Sequence, residues 1–189
     1  MGLVCEAEYI FCRVTDKEPG LYAMGRMNFG DFAIAADPSY DDKVCGRFDK
    51  IPVQPGEYLG LLHIAESNGK IDTLGIYSSY EVYKKPRTGW KRLGEICVDS
   101  AMAGIFAAKE DLTKAELTVL RYDTLLESGC AWTLYGFDPI IHGFCCMAKS
   151  DEKYVVIAHR SDNGDDFDAV EIRFNEPADQ IWFSGGNTL

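Results

Sequence analysis

Residues 56 to 83 read GEYLGLLHIAESNGKIDTLGIYSSYEVY. Two apolar segments, Gly56 to Glu66 and Ile71 to Tyr83, flank Asn68-Gly69. Asn-Gly supplies the positive φ angles that a tight hairpin needs, so the pair predicts two antiparallel strands joined by a short turn. The same grammar extends in both directions. Short apolar runs are broken by Gly, Pro, Asn and Asp, which is the pattern of an all-β chain. Strands are predicted at Leu3 to Val14, Leu21 to Met27, Phe32 to Ala36, Trp90 to Val98, Cys130 to Tyr135, Gly143 to Ala148, Tyr154 to His159 and Ala169 to Phe174. Leu21 to Met27 and Phe32 to Ala36 are expected to pair across Asn28-Phe29-Gly30-Asp31, and the last two strands across Asp162 to Asp166. Pro38 and the Pro52–Pro55 bracket mark loops.

One helix interrupts the pattern. Thr113 and Glu116 have capping-box spacing, Leu112, Ala115, Val119, Tyr122 and Leu126 recur at helical intervals, and Gly129 stands where a stop belongs. The expected fold is mainly β, or β-rich α+β: an antiparallel β-sandwich or partly open barrel with one helix packed on it. Residues 1–175 form a single domain and 176–189 a C-terminal tail.

Composition bounds function. Hydrophobic residues make up 47% of the 189, enough for a sizeable core. The net charge of −11 repels phosphate backbones and anionic head groups, which argues against nucleic-acid and membrane partners. No apolar run reaches the ~18 residues of a membrane helix. Met1 to Glu6 has neither a basic region nor an apolar stretch, so no secretory leader is expected, and Glu6 weakens an acylation reading of Gly2 and Cys5. The seven cysteines are odd in number and lack a Cys-x-x-Cys pair. They read as reduced, buried thiols in a cytoplasmic protein.

No cofactor is expected. There is no Gly-x-Ser-x-Gly, phosphate-cradling loop or dinucleotide fingerprint. The acidic stretch Asp162 to Asp168 has Gly164 in the wrong register for a calcium loop and reads as a solvated hairpin turn. His142 near Cys145 and Cys146 lacks the further ligands of a zinc site. Asp37 and Asp99 remain as the candidate pair. Each follows an apolar run, so each carboxylate can project from a strand end into a cleft, to bind a ligand or to perform acid/base work. The plainer reading is that each accepts hydrogen bonds from its own loop. Tyr40 joins Asp37 and Asp99 as a ligand-binding candidate; Ser100 and His142 join them as catalytic candidates.

At these residues the chain resembles an uncharacterised family of bacterial and phage-encoded proteins. Its members carry an Asp-Pro-Cys-Tyr turn, a Pro-Gly-x-Tyr strand start, a Val-Asp-Ser-Gly-Gln-x-Gly-Ile-Phe segment and a late Tyr-Gly-Asp-Gly-x-Tyr loop. The counterparts here are Asp37-Pro38-Ser39-Tyr40, Pro55-Gly56-Glu57-Tyr58, Val98 to Phe106 with Ala101-Met102 in place of Gly-Gln, and an altered last motif at Tyr135 to Phe144. The resemblance implies a β-rich domain and no particular activity.

Two functions are compatible with the sequence. One is a non-enzymatic binding module for a protein or small ligand, in a setting such as toxin immunity or phage–host conflict, with Tyr77, Tyr80 and Tyr83 as contact residues. The other is a hydrolase, metal-assisted or not, built on Asp37 and Asp99 with Ser100 or His142. The first is favoured, because no catalytic motif is present.

Overall fold

The computed structural model describes residues 11–12, 19–37, 47–66, 70–99, 102–107, 132–135, 143–148, 152–162 and 164–175. Twelve strands run through them: β1 (Phe11–Cys12), β2 (Gly20–Phe29), β3 (Phe32–Ala36), β4 (Phe48–Pro52), β5 (Gly56–Ile64), β6 (Ile71–Tyr77), β7 (Trp90–Cys97), β8 (Met102–Ala107), β9 (Trp132–Tyr135), β10 (Gly143–Met147), β11 (Lys153–Arg160) and β12 (Phe167–Arg173). A single-turn helix, α1 (Tyr80–Tyr83), lies between β6 and β7. The strands form two six-stranded sheets, in the orders β1-β9-β10-β8-β3-β4 and β2-β5-β6-β12-β11-β7. Every neighbouring pair is antiparallel.

Period-two alternation explains how the sheets meet. Ala33, Ala35, Ile51, Ala103, Ile105, Phe144 and Cys146 of the first sheet share one core with Met24, Phe29, Tyr58, Leu62, Leu74, Ile76, Val156, Val170 and Ile172 of the second. Small residues on either sheet oppose large ones on the other, which lets the layers interlock. One close approach is at Gly60 of β5. A Cβ added there would stand 2.5 Å from the Phe144 ring of β10. Phe144 is wholly buried and cannot swing aside.

The antiparallel β-rich expectation holds, and the 56–83 hairpin forms between β5 and β6. Several details differ. β2 and β3 do not pair: β2 pairs with β5 in the second sheet, and β3 lies between β8 and β4 in the first. Phe29 is drawn into the core, so Gly30-Asp31 is a corner between sheets. The strand read as Ile71 to Tyr83 stops at Tyr77, because the Ser79 hydroxyl accepts the Val82 N–H at 3.2 Å and caps α1. Phe48–Pro52 and Met102–Ala107 are strands that periodicity did not announce. Pro52 is tolerated because β4 is an edge strand. The helix expected over 112–129 and the tail at 176–189 lie outside the described residues.

Cys145 and Cys146 are buried thiols, not disulfides, on opposite faces of β10. Burial pushes the Cys146 thiol well above its ordinary pKa. Among the described residues, no helix is long and apolar enough to cross a membrane.

The Gly60 contact makes a direct prediction. Gly60→Ala forces a methyl into the Phe144 ring and should cost ~1–3 kcal/mol in chemical denaturation. Gly30→Ala, where no atom lies within 4 Å of the added methyl, should stay within ~0.5 kcal/mol of the parent.

Candidate functional site

Strands β11 and β12 of the second sheet are buried on both faces, whereas β2 and β7 at its edges carry exposed residues. Away from the shared core, Leu61, Tyr77, Val155, Ile157 and Ala169 form a second apolar cluster with Val82 of α1 and Trp90 of β7. Polar side chains on this covered face must find partners within the protein.

Glu171 is the extreme case, at 0% exposure in the middle of β12. Gly75 stands opposite it on β6. The missing side chain at Gly75 leaves room for Tyr77 to lie back along the strand; an added Cβ would be 2.4 Å from the Tyr77 hydroxyl. That hydroxyl donates to Glu171 Oε1 at 2.6 Å. Arg87 Nη1 donates to the same oxygen at 2.8 Å. Arg173 Nη2 lies 2.6 Å from Oε2 as an ion pair, outside hydrogen-bond angles. One sealed carboxylate thus holds two guanidinium groups and a phenol. Burial, then the Glu171 charge, pushes the Tyr77 phenol well above its ordinary pKa, so it remains a donor. Burial draws the Arg87 pKa down, but the Glu171 carboxylate outweighs it and the net shift is upward.

Beside this network is a cavity of about 260 Å³. The sheet contributes Leu61, His63, Thr73, Tyr77 and Arg173, and the α1–β7 segment contributes Tyr83 and Arg87. Leu21 and Asp72 complete the wall. His63 Nδ1 is 3.0 Å from Asp72 Oδ2, and Asn175 Nδ2 donates to Asp72 Oδ1 at 3.1 Å. Burial pushes the Asp72 carboxyl up, but the bonds from His63 and Asn175 and the Arg173 charge prevail and set it below its ordinary value.

A second polar knot ties down the hairpin tip. His159 Nδ1 lies 2.6 Å from Asp168 Oδ1, both residues being buried. Lys85 Nζ donates to Asp162 Oδ2 at 2.8 Å and reaches Asp168 Oδ2 at 3.4 Å. The acidic stretch is therefore a solvated turn only at its tip: Asp162 and Asp165 are exposed, whereas Asp168 turns inward. The hydrogen bond to Asp162 first, and then the Asp168 charge, raise the Lys85 pKa against burial.

The predicted carboxylates do meet, though not as two converging acids. Asp37 is 2% exposed, and its Oδ2 accepts the Asp99 backbone N–H at 2.8 Å. The Asp99 side chain faces solvent. Asp37 thus fastens the end of β3 to the β7–β8 connection. Tyr40, Ser100 and His142 lie outside the described residues. Of the three tyrosines proposed as contacts, Tyr77 is core, Tyr83 lines the cavity, and Tyr80 is exposed with the Lys84 ammonium 4.4 Å from its ring centre. Sequence reasoning missed Glu171, although a charge inside Ala169-Val170-Glu171-Ile172 was a visible signal. Nothing in the sequence marks Arg87.

Tyr77→Phe removes one donor from Glu171 and should cost ~1–2 kcal/mol; Glu171→Gln leaves two guanidinium charges uncompensated and should cost ~3 kcal/mol, both read by denaturant unfolding. Asp72 has its pKa depressed in the folded state. Its contribution is therefore complete above the unfolded carboxyl pKa and is lost as pH falls through the folded value. The stability gap between the parent and Asp72→Asn should accordingly narrow below about pH 4, and a gap independent of pH would contradict the assignment. No protein-family model, curated protein or solved structure matches this chain.

Proposed function

We propose that this domain is a non-enzymatic binding module whose contact point is the cavity between the second sheet and the α1–β7 segment. Its occupant is a small ligand, or one side chain of a partner protein. One observation carries the reading: Glu171, without access to water, holds Arg87 and Arg173 in fixed positions at the cavity wall. Charged groups held in place before a ligand arrives lower the ordering cost of binding. The partnerships of Asp37 support loop fastening over acid/base work, so the hydrolase alternative has less behind it.

A thermal-shift screen against metabolites tests the proposal, because a ligand that prefers the native state raises the melting temperature. Compounds that stabilise the parent should lose most of their effect in Tyr83→Ala and His63→Ala. Both positions line the cavity, and because each also makes contacts of its own, the quantity compared is the shift each variant shows between its own liganded and unliganded forms. Stabilisation that persists in both variants would place the contact elsewhere and reject the reading.

A further inference from the structure

We infer that the cavity recognises a small oxyanion, a carboxylate or phosphate group, through the guanidinium of Arg87. This rests on the binding reading above and names the ligand chemistry for it.

Arg87 is held from two directions. Its Nη1 is committed to Glu171, and its guanidinium lies over the Trp90 ring, 4.7 Å from the centroid. The side chain is nevertheless 52% exposed, and it lines the cavity. A planar fork with one end anchored and one face stacked presents its remaining N–H groups in a fixed direction, the geometry that suits a two-oxygen anion. The carboxylates nearby are already engaged. Glu171 takes Tyr77, Arg87 and Arg173, while Asp72 takes His63, Asn175 and, at 3.4 Å, the Thr73 hydroxyl. The wall thus sets the donors of Arg87 and Arg173 beside one carboxylate, Asp72, whose side chain is 24% exposed and whose oxygens are bonded to His63, Asn175 and Thr73. At about 260 Å³ the cavity admits a headgroup and not a large ligand. The overall charge of −11 repels anions at a distance. Recognition must therefore come from short-range hydrogen bonds.

Titration of the full chain followed by backbone amide NMR, at constant ionic strength, provides the test. The probes are acetate, succinate and inorganic phosphate, with methylammonium as the cationic control. Saturable shifts at Thr73, Tyr83 and Arg87 are expected with a carboxylate or with phosphate, and none with methylammonium. Whichever probe saturates at the lower concentration identifies the oxyanion. Arg87→Gln should weaken binding about tenfold or more. Arg87→Lys keeps the charge and a donor for Glu171 but lacks the fork, so it should also bind several-fold more weakly while remaining folded. The inference is overturned if neither oxyanion saturates, or if Arg87→Lys binds as tightly as the parent. A neutral metabolite that needs Tyr83 and His63 but is indifferent to Arg87 would overturn the oxyanion assignment alone and leave the binding module standing.

Discussion

All seven residues of β12 are buried. The strand lies between β6 and β11 inside the second sheet, with the shared core on one side and the α1–β7 covering on the other. Val170 and Ile172 meet that constraint by simple apolar packing. Glu171 and Asp168 cannot, since a carboxylate removed from water is tolerated only with charged or hydrogen-bonding partners close by. The positions of Tyr77, Arg87, Arg173, Lys85 and His159 all follow from that requirement.

Those partners also explain why the segment between α1 and β7 has a defined path despite containing almost no regular structure. Lys85 and Arg87, two residues apart, each reach a different carboxylate on β12. Trp90 then packs edge-on to His159, with a ring separation of 5.6 Å. The covering is thereby attached at two points on β12 and one on β11. The cavity is the space left where the attachment ends and the sheet continues toward His63 and Asp72. Its shape is a by-product of how buried charge was neutralised, which is why its wall combines apolar side chains with oriented donors.

The strands that packed a strongly apolar face were legible: β5, β7, β11 and β12 fall close to where alternation and turn residues placed them, and β6 starts where it was placed but ends at Tyr77. The misses have physical causes. β4 exposes Asp49 and Lys50 at a sheet edge and ends in a proline, so its composition resembles a loop. Gly30-Asp31 has turn chemistry whether the chain folds back within one sheet or crosses to the other, and only the burial of Phe29 decides between them. Asp37 and Asp99 were visible as acids at strand ends, and they are neighbours. That one carboxylate would accept the other's backbone amide depends on the relative placement of two sheets. Arg87 was illegible for a related reason: its partner is set by the pairing of β6 with β12, a long-range feature that no local pattern encodes.

That pairing has a kinetic side. Tyr77 and Glu171 are 94 positions apart, and β6 and β12 are adjacent strands in the middle of their sheet. Closing so large a loop consumes chain entropy before any native contact compensates for it, and folding rates fall as such non-local pairings dominate a topology. During synthesis, β5 and β6 can zip together early as a hairpin, yet the covered face of the sheet stays open until the segment ending at Arg173 has emerged from the ribosome. Arg87 has no buried counter-charge before that moment. The Arg87–Glu171 wall of the cavity would then form late and all at once, and a chain interrupted ahead of residue 167 would carry Tyr77 and Arg87 with nothing to organise them.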